Sequence, residues 1–120
     1  MKILYVEDHP AQSQVVAQTL QLSGHEVALA ATGEEGIEKT YSWRPDVILM
    51  DLRMPGIGGI GAIKQLKSDP EVSDIPVIVI SAWGDQKNQE QALAAGAIKV
   101  LTKPVGIEQL LDQINQAVSS

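Results

Sequence analysis

Short apolar runs alternate with amphipathic stretches along the whole chain. Ile3-Leu4-Tyr5-Val6 is a β-branched and aromatic run of strand length. Pro10 suits a first helical turn, and Val15, Val16, Thr19 and Leu20 then recur at helical spacing up to Gly24. Val27 to Ala30 reads as a second strand. Thr32 with Glu35 forms a capping-box pattern that opens a helix through Ile37 to Tyr41 and stops before Pro45. Val47-Ile48-Leu49-Met50 is apolar without a break up to Asp51, the signature of a strand covered on both faces. A helix carrying Ile60, Ile63 and Leu66 follows, and Pro76 to Ile80 repeats the buried-strand pattern and stops at Ser81. The polar stretch from Asp85 to Ala95 reads as a fourth helix ended by Gly96, and Ile98 to Leu101 as a fifth strand. Ile107, Leu110, Leu111, Ile114 and Val118 form one stripe of a last helix. Alternation of this kind predicts an α/β fold, a doubly wound five-stranded parallel sheet with helices on both faces.

In such sheets ligands sit beyond the carboxyl ends of the strands, at the point where strand order reverses. The first strand ends in Glu7-Asp8, the third in Asp51, the fourth in Ser81 and the fifth near Lys103. With strand order 2-1-3-4-5, Glu7, Asp8 and Asp51 converge on one small cleft. Crowded carboxylates raise one another's pKa unless a cation sits among them, and oxygen ligands in a sparse site suit Mg²⁺. Lys103 offers a compact charge for a phosphoryl oxygen and Ser81 a hydroxyl for another. A carboxylate can itself act as nucleophile and carry a phosphoryl group. Taken singly, each residue is an ordinary turn former, helix cap or surface group; four strand ends carrying one chemistry are a different matter.

Size, charge and cysteine content narrow the classes. The chain has 120 residues, enough for one core, and residues 1–120 are expected to form a single domain. Nine Lys and Arg against 15 Asp and Glu give −6, which disfavours a nucleic-acid binder. Cysteine is absent, excluding disulfides, thiolate zinc sites and cysteine nucleophiles. The apolar start of the chain ends at once in Glu7-Asp8, and no segment reaches membrane-spanning length, so a cytoplasmic protein is expected.

Four segments, in order, carry a family likeness: Ile3 to Asp8; Val47 to Gly56 with Gly59; Val77 to Ala82; and Leu101-Thr102-Lys103-Pro104. Across all 120 residues the chain resembles the receiver domain of two-component response regulators, above all stand-alone single-domain receivers. The resemblance implies a flavodoxin-like three-layer sandwich. It implies that Asp51 accepts a phosphoryl group from a histidine on a partner kinase or phosphotransfer protein. It implies Mg²⁺ held by Asp8, Asp51 and the backbone carbonyl of Arg53, with Glu7 acting largely through water. Ser81 and Lys103 would contact the phosphoryl group, and the Lys103-Pro104 bond would be cis. Such a domain is a phosphoprotein that assists its own phosphorylation and dephosphorylation, not a turnover enzyme. It would be a monomer or weak dimer that signals to a downstream effector protein, with neither nucleic acid nor membrane as partner. The alternative is a receiver-like interaction module that is never phosphorylated and binds its partners constitutively.

The sequence departs from the family at two places. Val100 stands three residues before Lys103, where receivers commonly have an aromatic ring that reports the switch. Trp83, two residues after Ser81, is the candidate substitute, and its bulk predicts a long-lived phosphorylated state by obstructing water. The helix after it has Leu93 as its only large apolar residue, a thin anchor that suits a movable surface. Gly56 to Gly61 matches G-x-G-x-x-G, but it lies beyond Asp51, which would repel a pyrophosphate; room beside the site is the better use for these glycines. A dehalogenase-type phosphatase needs an acid where Arg53 stands, and a flavin carrier needs a phosphate loop where Glu7-Asp8-His9-Pro10 stands. His9 and His25 are expected to be solvated loop residues.

Overall fold

The computed structural model describes residues 1–54, 56–82 and 85–119. The strands are β1 (Lys2–Val6), β2 (Glu26–Ala30), β3 (Val47–Asp51), β4 (Val77–Ser81) and β5 (Lys99–Thr102). Between and after them run α1 (Pro10–Leu22), α2 (Gly33–Trp43), α3 (Gly58–Ser68), α4 (Gln86–Ala95) and α5 (Ile107–Ser119). All pairings are parallel and the order is β2-β1-β3-β4-β5, as the alternation predicts.

The period-two geometry of the strands divides one apolar run between two layers. Leu4, Val6, Ile48, Met50, Val77 and Val79 face α2, α3 and α4, where Ile37, Ala62, Ile63, Leu66 and Ala92 meet them. Ile3, Tyr5, Val47, Leu49, Ile78, Ile80 and Leu101 face α1 and α5, where Leu20, Leu110 and Ile114 complete the second cluster. Every residue of β3 and β4 is buried, which explains their unbroken apolar sequences. Each fully buried aliphatic side chain there stabilises the fold by about 1.5–3 kcal/mol.

Where the structure differs from the pattern, side-chain phase is the reason. Buried positions of α1 are Ser13, Ala17 and Leu20, with Val16 half-buried, while Val15 points outward. In α4 the inward residue is Ala92, and Leu93 is 49% exposed. A helix with one small buried side chain is anchored even more thinly than Leu93 suggested. β5 begins at Lys99, and Ile98, expected to open it, is 50% exposed. The capping box of α2 is half as expected: Thr32 Oγ1 accepts from Glu35 N–H at 3.0 Å, but Glu35 reaches back to the N–H of Ala31, not of Thr32. Val100 is half-buried and packs among the residues facing α2, α3 and α4.

Candidate functional site

The carboxyl ends of β1, β3 and β4 and the β5–α5 connection bring most of the expected residues together. Asp51 is the last residue of β3, and its Oδ2 receives the ammonium of Lys103 at 3.3 Å. Its Oδ1 accepts the backbone N–H of Arg53 at 3.1 Å. The Lys103 ammonium also donates to Glu7 Oε2 at 3.4 Å and to Gln12 Oε1 at 3.2 Å, so one cation ties the loops after β1, β3 and β5. The Lys103-Pro104 bond is cis, as expected. Beside Lys103 a cavity of about 400 Å³ runs between α1 and α5, lined by Tyr5, Val16, Ile80, Val105 and Leu110.

Glu7 is 2% exposed. Burial pushes its carboxyl up, and the neighbouring Asp51 carboxylate adds to the effect, against the smaller pull of His9 and Lys103. Burial also works to raise Asp51, but the hydrogen bond from Glu7, the Arg53 N–H and the Lys103 ammonium outweigh it and hold it below its ordinary value. The two carboxyls are therefore pushed in opposite directions, Glu7 towards its protonated form and Asp51 towards its ionised one. The buried phenol of Tyr5 is pushed up by burial and then by the charges of Glu7 and Asp51.

Metal-ligating atoms of Glu7, Asp8 and His9 lie within 4.8 Å of one another. Asp51 joins this cluster through Glu7 and Lys103 and is not within the close set of three. Asp8 Oδ1 is buried and accepts no hydrogen bond from any described residue, although His9 Nδ1 stands 3.1 Å away. An orphaned carboxylate oxygen among other hard oxygen donors fits a divalent cation such as Mg²⁺.

Two side chains play parts that the sequence did not suggest. His9 is exposed, as expected of a loop residue, yet its Nδ1 lies 2.8 Å from Glu7 Oε1 and its N–H donates to the same oxygen at 3.2 Å. That hydrogen bond and the acids beside it raise the imidazole's pKa. The two-residue spacing from Glu7 is the signal that could have placed it. His25 is half-buried, not solvated, with its Nδ1 3.4 Å from the Met1 amine. Ser81 Oγ donates to Asp85 Oδ2 at 3.5 Å. Of the glycine-rich segment, Gly59 stands in the first turn of α3 and lets that helix approach β3 closely, since a Cβ there would stand 2.3 Å from the carbonyl oxygen of Asp51. Trp83, the candidate substitute for the missing ring, lies outside the described residues.

The raised pKa of Glu7 gives the metal-free protein a pH dependence. A folded-state pKa raised above the ordinary 4.5 contributes stability that is complete below that value and is lost as pH rises through the folded value. His9, raised above 6.5, has the same sign. In a chelating buffer the melting temperature is expected to fall from pH 5 to pH 8. Glu7→Gln, which mimics the protonated carboxyl, should flatten most of that fall and melt higher than wild type at pH 8. Thermal melts followed by circular dichroism check this, and an unchanged slope in Glu7→Gln would remove Glu7 as its source.

Comparison with known proteins decides the family. The family model for the response regulator receiver domain matches residues 3–115. The chain belongs to the response regulator receiver domain family. It is 37% identical to protein PilH of Pseudomonas aeruginosa over 118 residues, covering 98% of each chain. The receiver domain of sensor histidine kinase PA1611 of the same species, solved with a magnesium ion coordinated in its active-site cleft, superposes with a TM-score of 0.92. It is 30% identical, over 99% of this chain and 98% of that one. Chemotaxis protein CheY4 of Vibrio cholerae gives a TM-score of 0.89 at 31% identity, over 97% of each chain. This receiver is thus a phosphoryl-accepting signalling domain of two-component phosphorelays, a class that takes its phosphoryl group from histidine kinases and binds Mg²⁺ in an acidic cleft. Among the described residues, no helix is long and apolar enough to cross a membrane.

Proposed function

We propose that Asp51 accepts the phosphoryl group from a phosphohistidine of a histidine kinase or histidine phosphotransfer protein. The observation that carries this is the state of Asp51: a carboxylate at a strand end, kept ionised and 3.3 Å from a lysine ammonium. An Asp51 carboxylate oxygen attacks phosphorus, a P–O bond forms as the P–N bond breaks, and the imidazole leaves with the donor. Lys103 neutralises charge on the incoming phosphoryl oxygens, and the Arg53 N–H steadies the carboxylate oxygen that does not react. Ser81 then turns its hydroxyl to a phosphoryl oxygen. Asp8 and Asp51, the Arg53 carbonyl and Glu7 would hold Mg²⁺. When bound, the ion offsets the negative charge that gathers as phosphate meets carboxylate.

The same residues assist the later hydrolysis of the acyl phosphate, so the protein resets itself without turning over a separate substrate. Phosphorylation switches the affinity for a downstream effector protein. We place this in the cytoplasm, in one domain of residues 1–120 that is a monomer or weak dimer. Neither nucleic acid nor a membrane is its partner, in keeping with a charge of −6.

Incubation with acetyl phosphate in Mg²⁺, followed by intact mass measurement, tests the proposal. Wild type is expected to gain one phosphoryl group, and chelation of the metal to prevent it. No gain in Mg²⁺ would leave the constitutive, unphosphorylated interaction module in its place.

A further inference from the structure

Asp85 is a second carboxylate beside the cleft, and the chemistry just described makes no use of it. It is 8% exposed and stands immediately before α4. An aspartate at that position ordinarily accepts hydrogen bonds from the first N–H groups of its helix, but Asp85 makes no such bond. Its Oδ2 instead takes the Ser81 hydroxyl at 3.5 Å and lies 3.4 Å from Arg53 Nε. Its Oδ1 accepts from Asn88 Nδ2 at 2.7 Å. One buried carboxylate thus engages a side chain from the segment just after β3 and one from the end of β4.

We propose that Asp85 is a positioning residue that latches the unphosphorylated site, competing with the phosphoryl group for the Ser81 hydroxyl. The proposal rests on Asp51 being the phosphoryl acceptor. A serine hydroxyl has one proton to donate, so it serves Asp85 or a phosphoryl oxygen, not both. The contact is built to yield: 3.5 Å is at the long limit for a hydrogen bond, and the Arg53 side chain is 69% exposed and well screened. Once Ser81 turns away, Asp85 is a buried carboxylate short of donors. The first N–H groups of its own helix, which no helix pairs internally, lie close by. Release of the latch therefore frees the residue at the start of α4, a helix held by little more than Ala92. Occupancy at Asp51 becomes a change at the start of α4 without the ring that Val100 lacks.

Beryllofluoride with Mg²⁺ is the probe, titrated into wild type, Asp85→Ala, Ser81→Ala and the double variant. Asp85→Ala is expected to bind about three- to tenfold more tightly than wild type. The double variant should bind no more tightly than Ser81→Ala alone, a dependence that a merely structural role for Asp85 would not produce. Asp85→Leu has no acceptor for the Ser81 hydroxyl and should also bind more tightly, which covers the case of an unstable alanine variant. Equal or weaker binding in the folded Asp85 variants, or a gain that survives in Ser81→Ala, overturns the latch alone. If wild type takes up no beryllofluoride, the acceptor role of Asp51 fails and the latch with it.

Discussion

Asp51→Asn loses phosphoryl acceptance from acetyl phosphate or a phosphohistidine donor by at least about a hundredfold. The amide has no anionic oxygen with which to attack phosphorus, and it cannot form the acyl phosphate. The electrostatics of the wild-type residue set the pH dependence as well. Glu7, the Arg53 N–H and Lys103 together keep Asp51 ionised to below the ordinary carboxylate range. Acceptance from a small donor should therefore not fall with acid until the pH is below that range. Mass measurement of both proteins after equal incubation checks the first statement, and a pH series on wild type checks the second. Substantial phosphorylation of Asp51→Asn would move the acceptor to another residue.

Gly59→Ala is expected to destabilise the fold by about 2–4 kcal/mol, a fall in melting temperature of roughly 10 °C. The added Cβ would lie 2.3 Å from the carbonyl oxygen of Asp51 and 2.8 Å from Leu52 Cα. Both are backbone atoms, so no rotamer change relieves the contact. Gly59 N–H also donates to Leu52 O at 3.2 Å, which fixes the start of α3 against the end of β3. The strain must displace either α3 or the main chain that aims the Asp51 carboxylate, so uptake of beryllofluoride in Mg²⁺ should weaken as well. Gly106→Ala is the control, because a Cβ there meets nothing within 4 Å. Thermal melts of the two variants decide it, and similar small losses in both would show that the α3 start can give way.

The central strands were legible because burial on both faces leaves no polar position inside them, as in Val47 to Met50 and Val77 to Ile80. The strand-end acids followed from topology, since a parallel sheet gathers its carboxyl ends at one edge. The phase of α4 was not legible: with so few apolar residues, Leu93 drew the eye to a face that is solvent-exposed, while the small Ala92 carries the packing. β5 was misplaced by one residue because its apolar Ile98 is half-exposed before the strand begins. His9 and Asp85 escaped for another reason. Their roles depend on which way loop side chains turn, and an aspartate before a helix already has a sufficient explanation as a cap.

The Lys103 ammonium and the raised pKa of Glu7 bear on how a phosphate can approach an acidic pocket at all. Were Glu7, Asp8 and Asp51 all ionised beside one lysine, the mouth would show a net charge of minus two. Lys103 offsets one of the three, and the upward push on Glu7 works in the same direction. An arriving dianion thus meets less repulsion than the acids alone imply. Raising the salt concentration should therefore speed encounter with small phosphodonors less than three unpaired carboxylates would predict.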